Sequence, residues 1–406
     1  MNNFEQKREV AKRCVEDIGY VVNEFGERNA GSDGEKRTAE YFASRLSKVC
    51  DSVSTENFDV YPDAFMGWSY IVGTLAVLAF VAYFFSTMVS FLLVVIAIVV
   101  FVVQYALGKR FLDPLYKKKE SVNVTAIKKC ENAPKCRLFF VSSVDCAQEW
   151  ALLRRLGGTT FTVVIVAAFV GLAYTLAIDV ARWVLVGELG AKIADGDMLV
   201  AGYAGICFLP FWIALFFFAG NGKAVEGANE NLSGCEVALG VVEQMSEQGA
   251  ITRNVEVGVI LTGSEQAGLR GAKSWCDVHE NDFDDVPTYF VHLGVLKDPN
   301  YICVNEKERC GLVKADAELV DEILHCTENT DVKCQKSSLR LFGTTDSSVF
   351  SQNGFKSVSV TGYDGRKCPD YLHTRYDTHD NVSETCIANA FELCCRLVQR
   401  LDEQCD

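Results

Sequence analysis

The sequence predicts an α/β fold, with a sheet covered by helices on both faces and two membrane hairpins interrupting it. Three observations lead there. Residues 64–108 and 156–178 contain no charged side chain, and a further uncharged apolar stretch covers 198–222. Residues 223–406 alternate short apolar runs with amphipathic helical patterns. Two glycine-rich segments, 227–234 and 262–272, read as loops that run from strand ends into helices, where open α/β sheets place their sites.

The first 60 residues are charged throughout and carry no cleavable signal. Residues 4–25 read as a helix with Val10, Cys14 and Ile18 on one side, ended by Phe25-Gly26. Ser32 or Asp33 caps a second helix that buries Ala39, Phe42, Ala43 and Leu46. Residues 52–60 read as a strand. The block 64–108 is long enough for two spans of about 20 residues each, with the turn near Ser86-Thr87. Residues 121–128 and 137–143 read as strands, the second running into Val144-Asp145. The third span covers 156–178, a loop of mixed charge follows, and 198–222 form the fourth, with Pro210 tolerable in a membrane helix. The domain pattern is therefore 1–63, 109–155 and 223–406 as parts of one α/β domain, with hairpins at 64–108 and 156–222.

Beyond the spans, an amphipathic helix follows Gly234, with Val237, Ala238, Val241, Val242 and Met245 on one face. Val257–Leu261 is a buried strand. Helices are expected at 268–279, 315–327, from 343 onward and at 383–401, with strands at 288–293 and 357–361.

The composition bounds function. Hydrophobic residues make up 49% of 406, charged residues 23%, and the net charge is −14. The apolar excess lies in the spans, so this reads as a membrane protein, and the negative charge argues against nucleic acid as a partner. Lys109, Arg110, Lys117, Lys118, Lys119, Arg154, Arg155 and Lys223 flank the spans on one side. Arg182 and Lys192, beside Asp179, Glu188, Asp195 and Asp197, flank them on the other. The positive-inside tendency makes the first side cytoplasmic, with both termini. The 17 cysteines form no CxxC pair, which fits free thiols in a reducing compartment better than a disulfide framework. Cys130 and Cys136, or Cys394 and Cys395, are candidate metal-binding pairs that their spacing does not single out.

The segments Gly227-Ala-Asn-Glu-Asn-Leu-Ser-Gly234 and Thr262-Gly-Ser-Glu-Gln-Ala-Gly-Leu-Arg-Gly-Ala272 resemble the site loops of the zinc aminopeptidase and glutamate carboxypeptidase family, metallopeptidase family 28. Arg28-Asn-Ala-Gly-Ser-Asp-Gly-Glu35 resembles that family's opening, and His373-Thr-Arg-Tyr-Asp-Thr378 its last histidine motif. The resemblance implies a three-layer sandwich around a mixed sheet and two zinc ions bridged by an aspartate. It places the bridging acid at Glu230, the general base at Glu265, and further ligands at Gln266 and His373. The second ion's ligands fall on Ser143 and Gly294, and the acid that orients the first of these is Asp145.

Against that pattern this chain departs at four positions. Zinc needs deprotonated N, O or S ligands. Ser143 is a neutral hydroxyl, Gly294 has no side chain, Gln266 is an amide, and Glu230 is one methylene longer than aspartate. The second site keeps one ligand of three; the first, with Glu230, Gln266 and His373, is at most one weak zinc site. His292, His279, Cys146 and Cys235 are the available substitutes. Two readings compete: a membrane-bound pseudo-peptidase that binds a peptide or protein near the inner leaflet, and an active single-zinc aminopeptidase with Glu265 as base. Gly227 follows the fourth span by few residues, so the site is expected near the cytoplasmic membrane surface. Transport through the spans is disfavoured because they hold no charge.

Overall fold

A computed structural model describes residues 3–187, 190, 192–218, 222–328, 330–339 and 343–405. The chain divides into two compact units. The larger comprises Met1–Val60, Lys118–Gln148 and Ala224–Asp406, and the smaller Tyr61–Lys117 and Glu149–Lys223. In chain order the elements are α1 (Asn3–Phe25), α2 (Asp33–Leu46), β1 (Ser52–Val60), α3 (Pro62–Tyr83), α4 (Thr87–Val100), β2 (Lys119–Lys128) and β3 (Cys136–Ser143). Next come α5 (Ala151–Val186), α6 (Gly196–Ala204), α7 (Leu209–Ala214), α8 (Ser233–Glu247), β4 (Val255–Thr262), α9 (Arg270–Val278) and β5 (Thr288–Leu296). The chain ends with β6 (Ile302–Glu308), β7 (Val313–Lys314), α10 (Ala317–His325), β8 (Cys334–Ser338), α11 (Asp346–Gln352), β9 (Lys356–Gly362) and α12 (Glu384–Gln404).

The larger unit is a three-layer α/β sandwich around a mixed sheet. Strand order is β1-β2-β4-β3-β5-β9-β6-β7, with β8 paired to β6. The centre, β4-β3-β5-β9, is parallel; β1, β2, β6 and β7 join antiparallel. Alternation along β3 shows why the sheet is covered twice. Leu138 and Phe140 enter the core shared with α1, α8 and α12. Phe139 and Val141 enter a second core, with Trp275 of α9 and Phe350 of α11. Ser32 caps α2 by accepting from the Glu35 N–H, so that helix starts at Asp33 rather than Lys36.

Strands β6 to β8 are absent from the sequence expectation. Strand β6 reads Ile302-Cys-Val-Asn-Glu-Lys-Glu308, too polar to signal a buried strand. Its polar residues are buried with partners: the Asn305 amide donates to the hydroxyls of Ser359 and Thr361, and Glu308 accepts from Thr345 and Ser359.

The smaller unit contains four helical stretches long and apolar enough to cross a membrane: Pro62–Tyr83, Thr87–Ala106, Ala151–Val186 and Gly196–Phe217. One expectation is corrected here. The mixed-charge segment after residue 178 is not a loop; α5 continues to Val186 and ends at Gly187 with φ 73°. Asp179 and Arg182 therefore lie inside the helix, buried, so the stretch is not free of charge. Their burial is tolerable because each has polar partners. Ser90 donates to Asp179 at 2.8 Å, and the Arg182 guanidinium donates to the carbonyls of Tyr83 and Lys192. Glu188, counted with the outer loop, and residues 219–221 of the fourth stretch lie outside the described residues.

Candidate functional site

The loops at the ends of β3 and β4 are held by two buried carboxylates. Glu35, from the N-terminus of α2, accepts the Ser264 N–H at 2.6 Å and the Ser264 hydroxyl at 3.0 Å. Its other oxygen accepts from Gly31 N–H and Ser121. Asp145 accepts the next two N–H groups, Glu265 at 3.0 Å and Gln266 at 2.9 Å. Three consecutive donors are thus fixed, which holds Ser264 in the left-handed region, φ 54°. A non-glycine residue persists there only when its surroundings over-determine it. Gly271 lets α9 close on this loop, since a Cβ there would stand 2.2 Å from the Gly263 carbonyl.

The loop before α8 is fixed by Asp377, whose carboxylate accepts from the N–H groups of Asn229 and Glu230 and from the Asn229 amide, at 2.7–3.0 Å. The Glu230–Asn231 peptide is cis. Arg28, fully buried, donates to the carbonyls of Val144, Glu226 and Gly227 and so joins this loop to the one that carries Asp145. Gly234 allows α8 to start against β5, where a Cβ would lie 2.1 Å from the Leu293 carbonyl.

These supports bring the sequence-predicted residues together. The Gln266 amide donates to Glu265 at 2.6 Å and to Glu230 at 3.4 Å. The His373 ring lies 3.5 Å from Glu230, and its residue has φ 51°. A second amide, Asn231, donates to the Ser143 hydroxyl at 2.7 Å and reaches Glu265 at 3.5 Å. Gly294 lies on β5, the strand beside β3. A Cβ there would meet Thr361 at 3.3 Å and the His292 ring at 3.5 Å, so the imidazole leans over the empty position. Neither ring nitrogen of buried His292 has a hydrogen-bond partner among the described residues. His279, a substitute weighed from sequence, sits elsewhere, between Glu56 and Asp282.

Burial governs the charge states. It pushes Glu230, Glu35 and Asp346 up to about 7, and raises Asp145 and Glu265 well above the usual carboxylate range. For Glu265 the neighbouring carboxylates of Asp346, Asp145 and Glu230 add to the effect. Burial lowers His373 to about 4 and His292 to about 3. Burial and the carboxylates around Glu265 disfavour its ionised form, the form in which it would act as a base.

Sequence reasoning missed Asn231, Asp346 and the clamp made by Glu35. Asp346 accepts from Thr262 at 2.5 Å with one oxygen, while the other has no partner among the described residues. The signals were present but ambiguous: an acid at a helix start is ordinarily a dipole contact, and both Glu35 and Asp346 lie in first turns.

The donor set can be tested against zinc. The amide hydrogens of Gln266 face the two carboxylates that a cation would draw together, Ser143 is engaged by Asn231, and Gly294 offers nothing. No group of three His, Cys, Asp or Glu among the described residues is arranged to hold a metal ion. These residues do not fit a two-ion zinc centre. They leave, as a single-ion position, one carboxylate and one imidazole.

The larger unit is a mixed-sheet α/β sandwich of the zinc-exopeptidase-like fold. The zinc aminopeptidase BSAP of Bacillus subtilis superposes with TM-score 0.57 at 13% identity, over 96% of this chain and 95% of that one. A Zn-dependent exopeptidase of Parabacteroides distasonis gives 0.53 at 13%, over 96% and 97%. A glutaminyl cyclase of Fimbriiglobus ruber gives 0.53 at 12%, over 96% and 94%. No curated protein matches the chain. Residues 216–398 match the sequence model of peptidase family M28.

Proposed function

We propose that this protein is a membrane-bound pseudo-peptidase, which keeps the exopeptidase fold and its loops but binds a peptide or protein segment without hydrolysing it. One observation carries the reading. The positions that grip metal in the family this chain resembles are tied to each other by neutral amides, Gln266 between Glu265 and Glu230, and Asn231 on Ser143. Such a network is internally satisfied without a cation, and burial beside Asp346, Asp145 and Glu230 works against the ionised Glu265 that a hydrolytic base has to be. The four apolar stretches anchor the protein. The positive flanks put both termini and the α/β sandwich in the cytoplasm, and the few residues between the last stretch and Gly227 keep the site near the inner leaflet.

The adjacency of Glu230 and His373 favours a second reading, an aminopeptidase with one zinc. Turnover separates the two. Detergent-purified protein is offered aminoacyl and peptide substrates with and without added zinc. The pseudo-peptidase reading predicts no hydrolysis above that of Glu265→Gln. Turnover that Glu265→Gln abolishes overturns it.

A further inference from the structure

The 17 cysteines look unremarkable in sequence, but the fold brings two of them into contact at a place unrelated to the site. Cys136 opens β3, at the opposite end of that strand from Ser143. Cys405 follows α12, 269 residues later in the chain, and its Sγ lies 3.4 Å from the Sγ of Cys136. The backbone around both is pinned. Lys135 and Asn254 donate to the Cys405 carbonyl. Asp402 accepts the N–H groups of Arg253 and Asn254, at 2.9 and 2.8 Å. The Cys136 N–H in turn bonds to the Asn254 carbonyl.

We propose that Cys136 and Cys405 are a reversible disulfide site that staples the end of α12 to the start of β3 when a small disulfide oxidant is present. The sulfurs need to approach by little more than about 1 Å to reach the bond length of about 2.05 Å. Cys136 is buried and Cys405 partly exposed, so the reaction enters at Cys405. Its thiolate attacks one sulfur of an external disulfide such as oxidised glutathione, breaking that bond and releasing one thiolate. Cys136 then loses its proton to water, and its thiolate attacks the Cys405 sulfur, displacing the second external thiolate. The two protein thiols are oxidised by two electrons, and the external disulfide is reduced to two thiols. Burial raises the Cys136 thiol, so the closing step speeds up as pH rises. In a reducing compartment the pair rests as thiols, and closure reports oxidation. A bond spanning so long a loop restricts the unfolded chain strongly, so closure raises thermal stability.

Full-length protein in detergent is incubated with oxidised glutathione, alkylated and digested without reduction. The expected product is a peptide pair joined through Cys136 and Cys405, lighter by two hydrogens than the free pair, and restored to thiols by a reductant. Oxidised wild type melts higher than reduced wild type, while Cys405→Ser shows no such difference and Cys130→Ser keeps it. Cys136 joined instead to Cys130, glutathione stopping as a mixed adduct on Cys405, or an unchanged melting temperature on oxidation each overturns the proposal. The wild-type comparison stands even if Cys405→Ser folds poorly.

Discussion

Asp346 is a buried carboxyl held by a single hydroxyl, that of Thr262, and faced by Glu265 and Glu308. Its pKa rises from 3.8 to about 7 on folding, so the folded protein binds this proton more tightly. The stability contributed is full below about 4 and is lost as pH rises through about 7. Asp346→Asn keeps the acceptor for Thr262 and removes the titration. The melting-temperature advantage of Asp346→Asn over wild type should widen between pH 5 and pH 7 and level off above; an unchanged difference across that range would show that the carboxyl is not titrating there. A second substitution set tests the ligand positions. Ser143→His, Glu230→Asp, Gln266→Glu and Gly294→Asp together should produce zinc binding that survives dialysis. A Cβ at 294 asks Thr361, at 3.3 Å, to give by a few tenths of an ångström, and meets the His292 ring at an ordinary contact of 3.5 Å. No gain in zinc affinity would mean that the loops are wrongly assigned. At this scale the motifs that carry Glu230, Gln266 and His373 could be read from their own glycines or hydroxyls, and the fold brings Gln266 and His373 within 3.5 Å of Glu230. Asn231 and Asp346 could not be read, since what matters about them is a partner far away in sequence.

Among the elements, the turn between β4 and α9 depends on α2, which supplies Glu35. Glu35→Ala leaves the buried donors of Ser264 and Ser121, and the partly buried N–H of Gly31, without an acceptor, a cost of about 1–3 kcal/mol for each buried donor. We expect a loss of about 3 kcal/mol or more by chemical unfolding, with Glu35→Gln in between; a loss below about 1 kcal/mol would remove α2 from the site's support. On the other face, Trp275 fills the second core and donates to Thr125, so Trp275→Ala should cost about 3–5 kcal/mol. Elements whose burial shows in their own residues were readable: β3, β4 and β5 are largely apolar runs, β9 alternates valine with small hydroxyl residues, and α8 and α12 are amphipathic. Strand β6, with buried Asn305 and Glu308, hides its burial behind polar letters. The end of α5 misled for the converse reason, because Asp179 and Arg182 read as solvent-facing and are not.

For the whole molecule, two designs share one chain: a sandwich whose β3-to-β4 crossover carries α8, and an apolar unit drawn from two segments, one between β1 and β2 and one between β3 and α8. The proposed cytoplasmic orientation predicts that an epitope inserted after Gly190 is reached by antibody on intact cells, and one at the C-terminus only after permeabilisation; the reverse pattern would put the α/β sandwich outside. The direct measurement of the site's condition is the metal content of detergent-purified, full-length protein after exposure to zinc and dialysis, by elemental mass spectrometry. A centre cross-linked by its own amides should retain zinc far below one ion per chain, with His373→Ala no different. One ion per chain, lost on His373→Ala, would contradict it.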